Sequence, residues 1–409
     1  MTAPATRSVV AALTAAGAEI RFVGGCVRDA VLGRPVKDID IATPDPPDRV
    51  MALLAQGGVR AIPTGIAHGT VTALADGTAF EITTLRHDVE TFGRHARVAF
   101  TDDWAADAAR RDLTVNALSC APDGSLYDPF GGLADLKAGR IRFVGDPEAR
   151  IREDVLRLLR FFRFYAHYGV PPPDEAALAA ARALAPLLPT LSGERIRDEL
   201  LKLLAAPDPA AVVELMRDQD VLRHIMPEAA NPGRLRALVT IEGIVPARLV
   251  AGADPLRRLA ALLEASAAAA EVVAKRLRLS NAERERLVDL AEPPLVSPDL
   301  DRQTRRRLLY MLGAERFRDA ALLAWAASIT EQPTTTRHEV EAWTDLLATA
   351  ADWTPPVFPL KGRDFLTLGL KPGPAVGGLL EEIERWWIDN DFAPDRAACL
   401  AYARKVVVE

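Results

Sequence analysis

The sequence predicts an α+β protein in which a small β-sheet occupies the N-terminal part and helices make up the rest. Three observations carry this: a strand, glycine turn and helix over residues 20–33, an Asp-Gly hairpin over residues 71–84, and helical periodicity over residues 151–165 that returns through the C-terminal half. A chain of 409 residues has room for more than one domain, and 49% hydrophobic content suffices for buried cores.

Residues 7–18, rich in alanine, read as a helix leading into the first strand. Ile20, Phe22 and Val23 form a short strand, Gly24-Gly25 breaks it, and Val27 to Leu32 carry apolar residues at helical spacing as far as Gly33. Two glycines at such a turn let backbone N–H groups approach an anion closely, the helix start favours phosphate, and Arg28 lies on the first helical turn. The chain returns as Lys37-Asp38-Ile39-Asp40-Ile41, where period two sends Ile39 and Ile41 to a core and Asp38 and Asp40 to the opposite face. Like charges this close repel unless a cation lies between them, and Mg²⁺ takes hard oxygen ligands of this kind. Alone, Asp-x-Asp more commonly marks a solvated edge strand; the glycine pair upstream turns the balance towards a nucleotide whose phosphates lie between turn and carboxylates.

The Pro-rich residues 43–48 end this strand, and Asp45 or Asp48 is placed to cap a helix that begins near Val50. Asp76-Gly77 between two strand-like runs signals a type I′ hairpin. Its second strand carries Phe80-Glu81-Ile82, so pairing beside Asp38 and Asp40 would make Glu81 a third carboxylate; otherwise it is an exposed strand acid. Residues 87–104 show neither helical nor strand period and read as a mobile loop of the sort that closes over substrate. A helix is expected over residues 107–117, with Arg110 and Arg111 neutralising a triphosphate and Asn116 reaching a ribose hydroxyl, or else with all of them on a solvated face. Residues 127–136 are a turn-rich link that packs the end of the first domain.

Residues 151–165 read as one helix with Ile151, Val155, Leu158, Leu159 and Phe162 on its apolar face. Beside that face Asp154, Arg157, Arg160 and Arg163 recur at steps of three. An aspartate accepts from an exocyclic amino group and an arginine donates to an unprotonated ring nitrogen or carbonyl, so the first pair suits cytosine and adenine and opposes uracil and guanine. Arg160 and Arg163 would face phosphates. The competing interpretation of Asp154 and Arg157 is a surface salt bridge between residues three apart.

A net charge of -6 argues against indiscriminate nucleic-acid binding, yet arginines cluster at residues 140–163 and 302–307. A P-loop sequence is absent, which excludes the P-loop ATPases, and the six histidines form no H-E-x-x-H site. Three scattered cysteines, Cys26, Cys120 and Cys399, suit neither a disulfide framework nor a zinc site and are expected to be reduced. No apolar run approaches the roughly 18 residues that span a bilayer, and no secretory leader pattern opens the chain, so a cytoplasmic location is expected.

Taken together, Gly24-Gly25-x-Val27-Arg28-Asp29, Asp38-x-Asp40, Arg110-Arg111-Asp112-x-Thr114-x-Asn116-Ala117, Asp128-Pro129-x-Gly131-Gly132, Glu153-Asp154-x-x-Arg157 and Leu191-Ser192-x-Glu194-Arg195-Ile196 resemble the class II tRNA nucleotidyltransferase and bacterial poly(A) polymerase family in order and spacing. The resemblance covers residues 20 to about 205. It implies a polymerase-β-like catalytic head (1–138), a nucleobase-reading helical neck (139–205), a helical body (206–295) and a helical, tRNA-binding tail (296–409). It further implies metal ligation by Asp38 and Asp40 and a third head carboxylate in Glu81. Nucleotide binding falls to Gly25, Arg28, Arg111, Asp154, Arg157, Arg160 and Arg163. The expected reaction is Mg²⁺-dependent addition of CMP, CMP and AMP from CTP and ATP to a tRNA 3′ end, the acceptor arm being bound and pyrophosphate released.

Residues 63–71 are similar to the CCA-adding branch, and the Gly-Arg-Arg-Phe type element of the poly(A) branch is missing. Poly(A) synthesis and a non-catalytic RNA-binding protein on the same scaffold are the alternatives, and monomer and dimer both stay open. In the C-terminal half, Lys275, Arg276, Arg278 and the run 302–307 either track RNA phosphates or lie on solvated faces. Pro359 to Asp364 and Lys371 to Pro374 resemble the family's tail, and Trp386-Trp387 is read as packing.

Overall fold

The structure is a computed structural model and describes residues 2–408 except 93–94, 230–231, 264–265, 333, 335 and 367–372; for residues 88–98, 366 and 407–408 it describes the backbone only. It divides into two compact units, Met1–Ala230 with Lys275–Leu279, and Asn231–Ala274 with Ser280–Glu409.

The first unit opens with α1 (Pro4–Thr14), β1 (Arg21–Val23), α2 (Gly25–Val31), β2 (Ile39–Thr43), α3 (Pro47–Gln56), β3 (Arg60–Gly65), β4 (Thr70–Ala75) and β5 (Thr78–Thr84). The hairpin of β4 and β5 turns at Asp76 and Gly77, both at positive φ (47° and 74°), as a type I′ turn requires. β5 then pairs in parallel with β2, a geometry that needs a long crossover, and α3 with β3 and β4 supplies it. Phe22, Ile41, Val71, Phe80 and Ile82 are buried on the core side of the strands. Neither Asp45 nor Asp48 caps α3; Pro47 begins it and Asp48 stands in its first turn.

Residues 87–104, expected to be an aperiodic loop, largely form a two-stranded antiparallel ribbon of β6 (Arg86–Phe92) and β7 (His95–Phe100). Its register shifts between Asp88 and Glu90, which offsets the period-two alternation by which a strand is recognised. The next helix, α4 (Trp104–Ala109), is capped by the Asp103 carboxylate and ends before Arg110. Beyond it Leu113 turns extended to bridge Phe143, so the helix expected over residues 107–117 is not formed. β8 (Ser119–Cys120) and β9 (Leu126–Tyr127) complete a seven-stranded sheet of order β3-β4-β5-β2-β1-β8-β9, followed by α5 (Gly132–Ala138).

The single helix expected over residues 151–165 is two helices, α6 (Pro147–Glu153) and α7 (Leu156–Tyr168), with Asp154 extended between them (φ -151°, ψ 109°). α7 buries Leu158, Leu159, Phe161 and Phe162, and it packs with α9 (Gly193–Leu204); α8 (Glu175–Leu184) precedes that partner and α10 (Ala210–Asp218) follows it. Gly193 has no space for a side chain, since a Cβ there would lie 2.1 Å from the Arg276 carbonyl oxygen.

The second unit is helical among its described residues: α11 (Gly233–Ile244), α12 (Ala247–Val250), α13 (Pro255–Ala260), α14 (Ala267–Arg276, ending in the first unit), α15 (Asn281–Ala291), α16 (Arg302–Glu331), α17 (Arg337–Ala351), α18 (Gly362–Leu366), α19 (Pro374–Asp389) and α20 (Arg396–Val408). Trp325 and Trp343 stack in its core, ring centroids 5.9 Å apart. Trp387 is buried among Tyr310, Phe358 and Phe392, and Trp386 stacks on Tyr402, so the tryptophan pair does pack. The three cysteines are buried and free. No described helix is long and apolar enough to cross a membrane.

Candidate active site

β1 hands over to α2 through Gly24, whose φ of 70° and ψ of -125° strain any residue with a side chain. A Cβ at Gly24 would also lie 2.8 Å from Arg111 Nη1, and one at Gly25 would lie 3.6 Å from Arg28 Nη2. Two guanidinium groups thus flank the glycine turn. Arg28 is 7% exposed and is held on three sides: Nε and Nη2 each donate to the Asp29 carboxylate at 3.0 Å, Nη1 donates to Asn116 Oδ1 at 2.6 Å, and the Tyr168 ring lies 4.4 Å away. Arg111 donates to Asp107 at 3.4 Å and to the Asn116 carbonyl at 3.5 Å. Asn116, expected at a ribose, is instead buried and serves the protein: it accepts from Arg28 and donates to Asp112 Oδ1 at 3.0 Å.

Asp40 and Glu81 are register partners across the parallel pair β2 and β5, which puts their carboxylates on one face; Asp38 immediately precedes β2. All three are exposed. The protein around Asp40, then the Glu81 charge and lastly that of Asp38, hold its carboxyl above the ordinary range against the pull of Arg111. Hard carboxylate oxygens under mutual repulsion are a donor set that suits a divalent cation. Among the described residues no three or more His, Cys, Asp or Glu side chains gather closely enough to hold a metal by themselves. Asp38 and Asp40 fit a site whose shell substrate oxygens complete.

On α7, Arg160 donates from Nε to Asp112 Oδ2 at 2.6 Å, and Arg163 donates from Nε to Glu199 Oε2 at 2.5 Å. Burial opposes the charge of Asp112, but Arg160, Asn116 and the Leu113 N–H overcome it and hold the carboxyl below its usual range. Burial also works against Arg160, and Asp112 and Glu199 outweigh it, raising its pKa; for Arg163 burial prevails and the pKa falls. The salt bridge admitted between Asp154 and Arg157 is not seen. Asp154 accepts from Arg195 Nη2 at 3.0 and 2.8 Å, whereas Arg157 pairs with Glu153 and donates to the carbonyls of Arg150 at 3.2 Å and Arg110 at 3.3 Å.

Sequence reasoning assigned no role to Glu153, Asp112, Arg195 or Glu199. For Glu199 a signal exists: it shares the buried face of α9 with Ile196, Leu200 and Leu203, where an acid needs a partner.

A cleft of about 620 Å³ in the first unit gathers Gly25, Arg28, Asp38 and Asp40 with Arg163. Arg111, Glu81, Asp154, Arg157 and Arg160 are not among its lining residues. Four arginines of the basic sequences in the C-terminal half are ion-paired within the protein, Arg276 with Glu228 at 2.5 Å, Arg278 with Glu194 at 2.9 Å, Arg306 with Asp391 at 2.8 Å and Arg307 with Asp389 at 3.0 Å, and Arg305 donates to the carbonyls of Leu300 and Pro298. Lys371 and Pro372 lie outside the described residues.

Residues 20–142 match the family described as Poly A polymerase head domain, and residues 173–231 match the Probable RNA and SrmB- binding site of polymerase A. The chain is 34% identical over 397 residues to the mitochondrial CCA tRNA nucleotidyltransferase 1 of Mus musculus, covering 95% of this chain and 87% of that one. It is 31% identical over 405 residues to the CCA-adding enzyme of Limosilactobacillus fermentum, covering 98% and 96%. Its fold resembles that of the Bacillus stearothermophilus CCA-adding enzyme in complex with CTP, with a TM-score of 0.71 at 27% identity over 95% of this chain and 94% of that one. The glycine turn, the carboxylates of β2 and β5 and the arginine-bearing α7, together with this likeness along almost the whole length, place the chain in the family of CCA-adding tRNA nucleotidyltransferases.

Proposed function

We propose that this chain adds CMP, CMP and AMP, taken from CTP and ATP, to the 3′ end of tRNA with release of pyrophosphate. The observation that carries the reading is the pairing of Asp40 with Glu81 across β2 and β5, in the same unit as a glycine turn flanked by Arg28 and Arg111. A triphosphate lies with its phosphates against that turn, oriented by backbone N–H groups and by guanidinium groups already fixed by Asp29, Asn116 and Asp107. Asp38 and Asp40 would hold Mg²⁺, which when bound supplies a lowered pKa for the attacking hydroxyl and offsets phosphate charge.

Asp154 accepts from the exocyclic amino group of cytosine or adenine, and Arg157 donates to the neighbouring acceptor. Their separate anchors, Arg195 and Glu153, keep the two reading groups from neutralising each other. Arg160 and Arg163, tethered by Asp112 and Glu199, offer their remaining N–H groups to phosphate or ribose. In this reading residues 1–138 are the catalytic head, 139–205 the neck, 206–295 the body and 296–409 the tail that takes the tRNA.

The test is direct. A tRNA trimmed of its 3′ terminus is supplied with each nucleotide singly and in combination, and the added sequence is read; C, C, A followed by arrest is the expected product. Long adenosine runs would assign poly(A) synthesis instead, and tRNA retention without pyrophosphate release would assign a binding protein.

A further inference from the structure

The cleft that holds Asp38 and Asp40 is lined as well by residues 34 and 37 of the loop after α2, by His167 of α7 and by Lys202 of α9. We propose that Arg34, Lys37 and Lys202 form a second phosphate site, apart from the glycine turn, that receives a backbone phosphodiester of the RNA strand being extended; the proposal rests on the reading of this chain as a tRNA-extending enzyme.

The basic groups of the cleft and of the neighbouring glycine turn and α7 point there. Arg28, Arg111, Arg160 and Arg163 each have a carboxylate partner: Asp29, Asp107, Asp112 and Glu199. Arg34, Lys37 and Lys202 have none among the described residues, and Arg34 spends one N–H on the His167 carbonyl at 3.1 Å while lying 4.5 Å from the Tyr168 ring. Unneutralised cations lining one cleft repel each other, a cost that an anion removes.

The imidazole of His167 senses the same field. Burial and then the charges of Arg163, Arg34 and Arg28 hold its pKa below the ordinary value, against the Lys202 carbonyl, which accepts from Nε2–H at 2.8 Å. Of the three acids that line the cleft, Asp29 is occupied by Arg28 and by the Tyr168 hydroxyl, which donates to it at 2.9 Å, and Asp38 and Asp40 are the pair assigned to Mg²⁺ in the proposed reaction. Two features favour RNA over the nucleotide's own phosphates. The glycine turn already has its pair of arginines, and Arg34, Lys37 and Lys202 are exposed, where a strand longer than one nucleotide can reach them.

The experiment compares wild type with Lys37→Ala/Lys202→Ala, in the full-length protein, by equilibrium binding of a tRNA lacking its 3′ CCA over a range of salt, and of CTP and pyrophosphate alone with Mg²⁺. Both lysines are exposed and unpaired, so the double variant should fold as wild type does. The expected result is a tRNA Kd weakened by about tenfold at low salt and a slope of log Kd against log salt shallower by about one, with CTP and pyrophosphate affinities unchanged. Lys37→Arg/Lys202→Arg should restore the slope, and tRNA binding to wild type should raise the His167 pKa in an NMR titration. Unchanged tRNA affinity and slope would reduce the lysines to solvated side chains. Weakened CTP or pyrophosphate binding with intact tRNA binding would reassign the site to the triphosphate. Incorporation of CMP and AMP by wild type is measured in parallel, so that an inactive wild type counts against the proposed reaction while the salt dependence still decides the phosphate site.

Discussion

Both units bury arginines against carboxylates, and the two networks end differently. In the second unit Arg257 and Arg258 are 2% and 3% exposed; Arg257 donates to Glu242, to Asp319 and to the carbonyls of Gly252 and Val250, so its guanidinium is used up inside the protein. In the first unit the Arg160 and Arg163 side chains are 32% and 17% exposed, and each is tethered through Nε to one buried acid. A saturated guanidinium is a structural tie. One held by a single edge keeps donors for a ligand and is already oriented when the ligand arrives.

The largest expected effect falls on the head carboxylates. Asp38→Ala and Asp40→Asn should each lower CMP incorporation by roughly a thousandfold or more, the several kcal/mol that metal-based charge stabilisation supplies, with an unchanged circular dichroism spectrum. Mg²⁺ should raise the melting temperature of wild type and not of Asp40→Asn; turnover within tenfold of wild type would remove the metal assignment. Next comes the saturated network: Arg257→Met should cost about 3 kcal/mol in denaturant unfolding, because it removes one of two arginine partners from each of Glu242 and Asp319, which keep Arg258 and Arg286, while CTP binding is retained. Loss of CTP binding without loss of stability would reverse the comparison between the units.

Smaller in energy but sharper in specificity, Arg157→Ala should relax discrimination against UTP and GTP by about 1–3 kcal/mol, measured by competing nucleotides on a trimmed tRNA. Arg195→Ala should act in the same direction by loosening Asp154, and unaltered choice in both variants would detach base reading from Asp154 and Arg157.

The acids also give opposite pH signatures. The folded pKa of Asp112 is depressed, so its stabilising contribution is complete above the unfolded value near 3.9 and is lost as the pH falls through the folded value; Asp112→Asn should flatten that acid limb of the unfolding curve. Asp40 has a raised folded pKa, so its ionised form detracts from stability and protection is gained as the pH falls through that value. Asp40→Asn should therefore stabilise the fold by roughly a few tenths of a kcal/mol after solvent screening, while abolishing activity. A destabilised Asp40→Asn would contradict the like-charge crowding around that position.

What could be read without a structure was local. The turn at Gly24 and Gly25, the alternation that sets Ile41 against Asp40, and the Asp76-Gly77 hairpin each depend on residues within a few positions of one another, and each stands as expected. The pairing of the hairpin's second strand beside β2, on which the reading of Glu81 depends, is formed and puts Glu81 opposite Asp40. Helix ends were less legible. Apolar spacing runs through Asp154 unbroken, and only the capture of its carboxylate by Arg195, 41 residues away, accompanies the extended backbone that separates α6 from α7. In the ribbon of β6 and β7, the register shift between Asp88 and Glu90 offsets the alternation of the first strand partway along its length.

The sequence by itself determined which residue types have the chemistry to meet phosphate, cation and base, because glycine freedom, carboxylate repulsion and helical periodicity are properties of short segments. Only the tertiary structure decided which of those groups stay available. Arg28 meets Asn116 across 88 positions, Arg160 meets Asp112 across 48, and the Tyr168 hydroxyl meets Asp29 across 139. A hydrogen-bonding side chain reveals its chemistry in its own atoms, but whether its donors are spent or free depends on what folding brings within about 3 Å of them, and no local pattern encodes that distance.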